Sequence, residues 1–409
     1  MRASDIRLPE EFARRGVSRR DFLAFCGAMT ATLALPELYT PRIAAALGAP
    51  KRPVLVWLEF QDCTGCTESF LRAGHPSIAE VVLDLFSLDY HETLMAAAGK
   101  DAERALHSAV ANAKGQYIAV VEGSIPTADS GYCTIAGRSA IDIAREICGD
   151  AAATVTVGAC AFYGGWPSAR PNPTGAVGLQ QAVPGIKVVN LPGCPVNGEN
   201  VAATLVHYLT FGELPATDQL GRPLFAYGGL IHDSCERRAH YDAGEYVDVW
   251  GDEAHKAGWC LYKVGCKGPT THHNCSIVRW NGGTSWPVGA GHGCIGCSEV
   301  GFWDANTPFY DRLPGVPGLG VQTTAEEVGL GIVLATAGGF ALHGVAAVIA
   351  ERAKPLEDHI VKKPVEAATV PTAPTVPSAA VPLAGHAPNG AAAGAVPPAA
   401  PHDNGDGNS

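Results

Sequence analysis

Ten cysteines and one histidine carry the chemistry in this chain. Cys63-Thr64-Gly65-Cys66 sets two thiols a turn apart, and single cysteines follow at Cys160 and Cys194. His232-Asp233-Ser234-Cys235 puts an imidazole three residues from a thiol, with Cys260 and Cys266 beyond it. Cys275, Cys294 and Cys297 come last. Sulfur-rich groups of this size suit an iron-sulfur cluster or zinc. The Cys63/Cys66 pair alone would also describe a thioredoxin-like redox site, since a strand, CxxC and a helix are common to both.

Elements of an open α/β sheet deliver the first four thiols. The run "PVLVWLEF" (53–60) leads to Cys63 and Cys66, with helical material expected over "TESFLRAGHPSIAEVVLDLF" (67–86). "TVTVG" (154–158) leads to Cys160 and "KVVNLPG" (187–193) to Cys194, whereas "YIAVVEG" (117–123) ends in a turn-rich stretch with no ligand nearby. Ligands bind at the carboxyl edge of such sheets because the loops converge there. The positions of Cys160 and Cys194 therefore favour a shared metal over a redox pair.

From about residue 230 the strand patterns fade while Gly, polar residues and cysteines become dense. His232, Cys235, Cys260 and Cys266 read as a site with one nitrogen and three sulfur ligands. The triad Cys275, Cys294 and Cys297 suits a 3Fe-4S cluster. A region with so little regular structure is expected to draw folding energy from its metals. Zinc is the alternative at each site singly, but three redox clusters in a row would make a wire, which three structural zincs would not. Cys133 and Cys148 read as small apolar filler, and His272 and His273 as polar loop residues.

The chain has 409 residues, 47% of them hydrophobic, enough for two globular domains. Its net charge of -11, with both signs mixed along the chain, excludes the basic stripe that a nucleic-acid partner requires. Ser18-Arg19-Arg20-Asp21-Phe22-Leu23, the apolar run after it and Ala44-Ala45-Ala46 read as a Tat export leader over residues 1–46, with Cys26 inside it. Export of a chain already folded around metal would protect its cysteines from oxidation. Residues 328–350 carry no formal charge and are long enough to cross a bilayer, with Arg352, Lys354, Lys362 and Lys363 after them. Positive-inside reasoning leaves the main body outside the cytoplasm. Residues 355–409 are Pro/Ala-rich and cannot build a core.

Over roughly residues 52–313 the chain resembles the small subunit of NiFe hydrogenases. The motifs are "CTGCTESF", "SLDYHETLMAAAG", "RPNPTG", "LPGCP", "IHDSCERRAHYDAGEY", "GWCLYKVGCKGPTT", "NCS" and "GHGCIGCSE" followed by "FWD". The resemblance implies a flavodoxin-like doubly wound α/β domain (52–229), an irregular cysteine-rich iron-sulfur domain (230–320) and a C-terminal transmembrane helix. It assigns Cys63, Cys66, Cys160 and Cys194 to a proximal 4Fe-4S cluster and His232, Cys235, Cys260 and Cys266 to a distal one. Cys275, Cys294 and Cys297 match the medial 3Fe-4S ligands, with Pro287 where a four-iron variant would have its fourth cysteine. It also implies that the nickel-iron site lies in a large subunit, because this chain lacks the paired CxxC motifs that hold it.

Oxygen-tolerant relatives have extra cysteines at the positions of Gly65 and Gly165, so an ordinary proximal cube is expected here. Asp62, where many relatives have glutamate, reads as a solvated loop carboxylate. The implied function is electron transfer from periplasmic H2 oxidation to an acceptor at the membrane. Gly331, Ala335 and Gly339, with His343 continuing the stripe, suggest a face that docks on an integral cytochrome b subunit.

Overall fold

The computed structural model describes residues 16–48, 52–74, 85–311 and 325–352, with isolated residues 8 and 13. Five parallel strands form the central sheet: β1 (Val54–Glu59), β2 (Ser87–His91), β3 (Ile118–Glu122), β4 (Ala153–Val157) and β5 (Val188–Leu191). Their spatial order is β2-β1-β3-β4-β5, the flavodoxin-like winding. Alternation along β1 sends Leu55 and Trp57 to one face and Val56 and Leu58 to the other, and both faces are covered.

On one face Val56, Leu58, Ala119 and Val121 pack with α4 (Lys100–Asn112) and α5 (Ala140–Gly149) through Leu106, Ala109, Ile143 and Ile147. On the other, Leu55, Trp57, Val120 and Val155 pack with α3 (Gly65–Leu71) and α7 (Gly198–Phe211). Asn197 caps α7, its side chain accepting the Glu199 N–H at 3.0 Å. A short helix, α6 (Gly158–Tyr163), follows β4 directly.

The helix expected after Cys66 ends at Leu71, and residues 75–84 of that run lie outside the described residues. Beyond Ile231 no strand forms among the described residues, which turn through short helical segments around Ile231, Val247, Leu261, Trp286 and Val288. Two amide contacts tie this region to α7: Asn197 Nδ2 donates to Arg279 O at 2.6 Å, and Asn200 and Asn274 exchange hydrogen bonds at 2.9 and 3.0 Å.

The expected leader is a helical hairpin packed on the first domain. Ser18 caps α1 (Arg19–Thr32), and a tight link leads to α2 (Thr40–Leu47). Phe22, Cys26, Met29 and Ile43 are buried in the core that α7 shares, and Arg42 lies over the Phe211 ring at 4.5 Å. Arg19 and Arg20 are exposed at the start of α1.

By itself, α8 (Ala325–Arg352) is a single long helix. Its apolar part, Leu330–Arg352, has 23 residues and would extend about 34 Å, enough for a hydrocarbon core of about 30 Å. Its Leu, Ile, Val and Phe side chains from Leu330 onward are exposed, unlike those of a buried core helix. The Pro/Ala-rich tail and Lys354, Lys362 and Lys363 lie outside the described residues.

Cys26 has no exposed surface. In the full-length folded chain it should react with a maleimide at least roughly tenfold more slowly than in urea, since reaction requires the hairpin to open. Met29→Asp or Ile43→Asp should abolish that protection. Equal rates in buffer and urea, read by peptide mass spectrometry, would show that the hairpin does not stay packed.

Candidate metal centres

The first sulfur group forms where the sheet runs out. Beyond β1, Thr64 takes a left-handed conformation with φ of 60° and turns the chain into α3, leaving Cys63 exposed and Cys66 buried in the first helical turn. Cys160 sits in α6, and Cys194 follows β5 after Pro192 and Gly193. Burial pushes the Cys66 thiol well up, and the neighbouring Glu122, Cys160 and Cys194 charges add to the effect. Cys160 and Cys194 likewise feel Cys63. The four cysteines are therefore neighbours, and Val196 N–H points at Cys66 Sγ from 3.4 Å.

Glycines give these sulfurs room. A Cβ on Gly158, whose φ is +88°, would come within 2.5 Å of Cys66 Sγ. One on Gly165 (φ +57°) would fall 2.6 Å from Cys160 Sγ, and one on Gly65 would fall 3.1 Å from Cys63 Sγ. Backbone approach this close, with N–H groups turned to sulfur, fits thiolates that ligate a cluster.

His232, Cys235, Cys260 and Cys266 line one small cavity, walled by Ile231, Leu261 and Val288. Arg237 N–H donates to Cys235 Sγ at 3.4 Å. The His232 ring stands edge-on to Tyr241 with centroids 4.4 Å apart, and burial followed by the Arg238 charge pushes its pKa down. A neutral imidazole is the form that binds metal.

Cys275, Cys294 and Cys297 open onto a cleft of about 630 Å³ with Trp280, Trp286 and Pro287. Gly296 N–H reaches Cys294 Sγ at 3.4 Å, and Thr271 Oγ1 lies 3.6 Å from the same sulfur. His273 Nδ1 lies 3.0 Å from Cys275 Sγ. Neighbouring groups come into direct contact. Cys294 N–H donates to Cys266 Sγ at 3.3 Å, and Cys194 lines the same cleft as Cys297. All thirteen cysteines are free of disulfides.

Two carboxylates differ from what the sequence suggested. The strand β3, read as ending without a ligand nearby, delivers Glu122. Its carboxylate accepts Cys66 N–H at 2.9 Å, Thr67 N–H at 3.1 Å, Thr67 Oγ1–H at 2.6 Å and Trp57 Nε1–H at 3.3 Å. Asp62 is no solvated loop carboxylate. It is half-buried with Oδ2 unpartnered, close to Glu59 and Glu122. Burial, then the Glu122 and Glu59 charges, pushes its pKa up to about 7. Of the remaining cysteines, Cys148 is buried as filler and Cys133 is half-buried. His272 pairs with Glu299 at 3.1 Å, but His273 is buried against sulfur and is no polar loop residue.

Known proteins are similar to this chain. Residues 227–310 match the family model for the C-terminal part of the NiFe/NiFeSe hydrogenase small subunit, and residues 63–208 that of the NADH ubiquinone oxidoreductase 20 Kd subunit. The chain is 45% identical over 337 residues to the uptake hydrogenase small subunit of Azotobacter vinelandii, covering 82% of this chain and 94% of that protein. It is 46% identical over 344 residues to the quinone-reactive Ni/Fe-hydrogenase small chain of Wolinella succinogenes, covering 82% and 97%. Among solved structures, the oxidized recombinant [NiFeSe] hydrogenase of Desulfovibrio vulgaris Hildenborough is similar with a TM-score of 0.60 and 36% identity, over 65% of this chain and 99% of that one.

Removing the Glu122 carboxylate should loosen the turn that holds Cys66. Glu122→Ala leaves buried N–H donors unpaired at about 1–3 kcal/mol each, so both melting temperature and iron per chain should fall. Glu122→Gln keeps one acceptor oxygen and should lose less. Identical melting and iron content in wild type and both variants would remove Glu122 from this role.

Proposed function

This chain belongs to the family of NiFe hydrogenase small subunits, and from that premise we propose that it holds three iron-sulfur clusters and carries electrons from H2 oxidation to an acceptor at the membrane. It is an iron-sulfur electron-transfer subunit of a hydrogenase, and such small subunits pair with a large subunit. H2 cleavage is assigned to that partner. In this reading Cys63, Cys66, Cys160 and Cys194 would hold a proximal 4Fe-4S cluster. Cys275, Cys294 and Cys297 would hold a medial 3Fe-4S cluster, and His232, Cys235, Cys260 and Cys266 a distal 4Fe-4S cluster. When bound, these groups supply one-electron carriers whose potentials depend on ligand type, burial and hydrogen bonds to sulfur.

The observation that carries the proposal is the placement of the three groups in series: Cys194 lines the cleft of Cys275, Cys294 and Cys297, and Cys294 N–H donates to Cys266 Sγ. The chain's own residues do the rest. Val196, Arg237, Gly296 and Cys294 direct N–H groups at ligand sulfurs, which favours electron uptake. Trp280, Trp286, Pro287 and Val288 wall the medial cleft with apolar surface. Glu122 fixes the turn that carries Cys66. His232 substitutes a neutral ligand for a thiolate at the last site, making it less negative, as suits an exit. Gly65 and Gly165 leave the proximal site without extra thiols, which supports an ordinary 4Fe-4S cube.

Export and anchoring complete the reading. The twin-arginine segment is a Tat leader cleaved near Ala46, and α8 anchors the enzyme at the periplasmic face of the cytoplasmic membrane. Ala44 and Leu47 are buried in α2, so processing requires the hairpin to be drawn off α7. Gly331, Ala335 and Gly339 leave a groove on α8 for close helix packing, with His343 in line, and the partner there is an integral cytochrome b subunit. The name of the quinone-reactive relative supports a membrane acceptor.

Low-temperature EPR on the anaerobic complex tests the clusters. The oxidised protein should show a 3Fe-4S signal and the reduced protein 4Fe-4S signals. Pro287→Cys should remove the oxidised three-iron signal by supplying a fourth thiolate. An EPR-silent preparation containing zinc would overturn the reading. For the membrane partner, Gly331→Leu with Gly339→Leu should abolish co-purification of a haem protein while leaving the cluster signals intact. Unchanged haem recovery would reduce α8 to an anchor.

A further inference from the structure

His273 is a buried imidazole that the electron-transfer scheme does not require as a ligand. It is 3% exposed, and its Nδ1 lies 3.0 Å from Cys275 Sγ. The residue is clamped. Tyr227 meets the ring edge-on with centroids 4.9 Å apart, Trp280 stacks at 6.5 Å with a 20° interplanar angle, and the main-chain N–H of His273 donates to Gly229 O at 3.2 Å. Nε2 is buried without a hydrogen-bond partner. The adjacent Asn274 amide pairs reciprocally with Asn200, and its side chain also favours a proton on the His273 ring.

These contacts fix where the ring proton sits. A ligated cysteine has no proton of its own, so a hydrogen between Nδ1 and Sγ must come from the imidazole. With N–H on Nε2, the ring would bury an orphan donor and set the Nδ1 lone pair against the sulfur lone pairs. With N–H on Nδ1, the donor is satisfied and only an acceptor goes unpaired, which is the smaller loss. A doubly protonated ring would donate from Nδ1 as well, so the conclusion does not depend on the ring's charge.

We propose that His273 is a tuning residue for the medial site, donating an Nδ1–H···Sγ hydrogen bond to Cys275 that raises the reduction potential of the cluster held there. The inference rests on the three-cluster reading. A hydrogen bond to ligand sulfur withdraws electron density and is stronger when the cluster carries the extra electron, so it favours the reduced form. In a site this buried, little water competes for the sulfur.

The test is an EPR-monitored redox titration of the intact complex with two variants. His273→Phe keeps a ring but has no N–H. His273→Asn can return an amide N–H to the position of Nδ1. At a fixed poise, His273→Phe should lower the reduced-to-oxidised ratio of the three-iron centre by up to roughly tenfold, a fall of about 59 mV for a one-electron couple. His273→Asn should recover most of that shift. An unchanged potential in His273→Phe, or an equal fall in both variants, would overturn the proposal.

A measurement on the unsubstituted complex covers the case in which His273→Phe fails to assemble. With ¹⁵N-labelled histidine, pulsed EPR on the oxidised three-iron signal should detect a coupled imidazole nitrogen, and its absence would overturn the hydrogen bond. Absence of any three-iron signal in the wild type would instead sink the cluster reading and this inference with it. A three-iron signal with unshifted potential sinks only the tuning role.

Discussion

One row of strand register sets the level at which everything else happens. Glu59 pairs with Glu122, Glu122 with Val157 and Val157 with Leu191, so β1, β3, β4 and β5 end side by side. Three of these strands then release Cys63 and Cys66, Cys160, and Cys194 within a few residues of that row. The fourth ends in Glu122, whose carboxylate binds the main chain of the first cysteine loop. A slip of one residue in any pairing would reverse the strand's faces and withdraw its loop from the shared site. The same row brings Glu59 beside Glu122, which is why a group of largely buried carboxylates lies under the sulfur site.

The cysteine-rich region depends on this edge in a different way. It has a small apolar core around Ile231, Val247, Leu261, Trp286 and Val288, into which Cys275 and Cys294 are themselves packed. Candidate ligands and core therefore overlap, so metal bound to these thiols would also organise the fold. The amide contacts Asn197–Arg279 and Asn200–Asn274 run to the start of α7, whose first residue, Gly198, lies against α3 so tightly that a Cβ would meet Ser69 O at 2.6 Å. The second region is thus referenced to the helix that carries Cys66.

Much of this was legible because cysteines punctuate β-forming runs at an edge where ligands collect. The strands after residues 53, 154 and 187 and the irregular texture beyond 230 follow from pattern alone. Glu122 was not legible, since a glutamate closing an apolar strand resembles any polar residue entering a turn; its role appears only when Cys66 and Thr67 N–H groups point at it. Asp62 was misread for a related reason, because the burial of a loop is set by neighbours far along the chain. His273 lies within a run of polar residues, and only the Tyr227 and Trp280 rings and the Cys275 sulfur distinguish it from His272. The packing of α1 and α2 on α7 was also hidden, because an apolar leader carries the same pattern whether free or docked.

The linkage between sulfur groups also bears on how firmly their spacing is held. In the proposed scheme Cys294 would be a ligand of one group, and its own N–H donates a hydrogen bond to Cys266 of the next; Cys194 lines the same cleft as Cys297. The donor end of the Cys294–Cys266 bond is a planar peptide unit, and its acceptor is the Cys266 side chain. That separation is therefore set by one main-chain donor and one side-chain rotamer. Electron transfer falls off steeply with distance, so in the proposed scheme this contact would limit drift between those two groups. What remains adjustable is the potential of each station, which is set by the polar atoms around its sulfurs. In the proposed scheme that adjustment would fall to side chains such as His273.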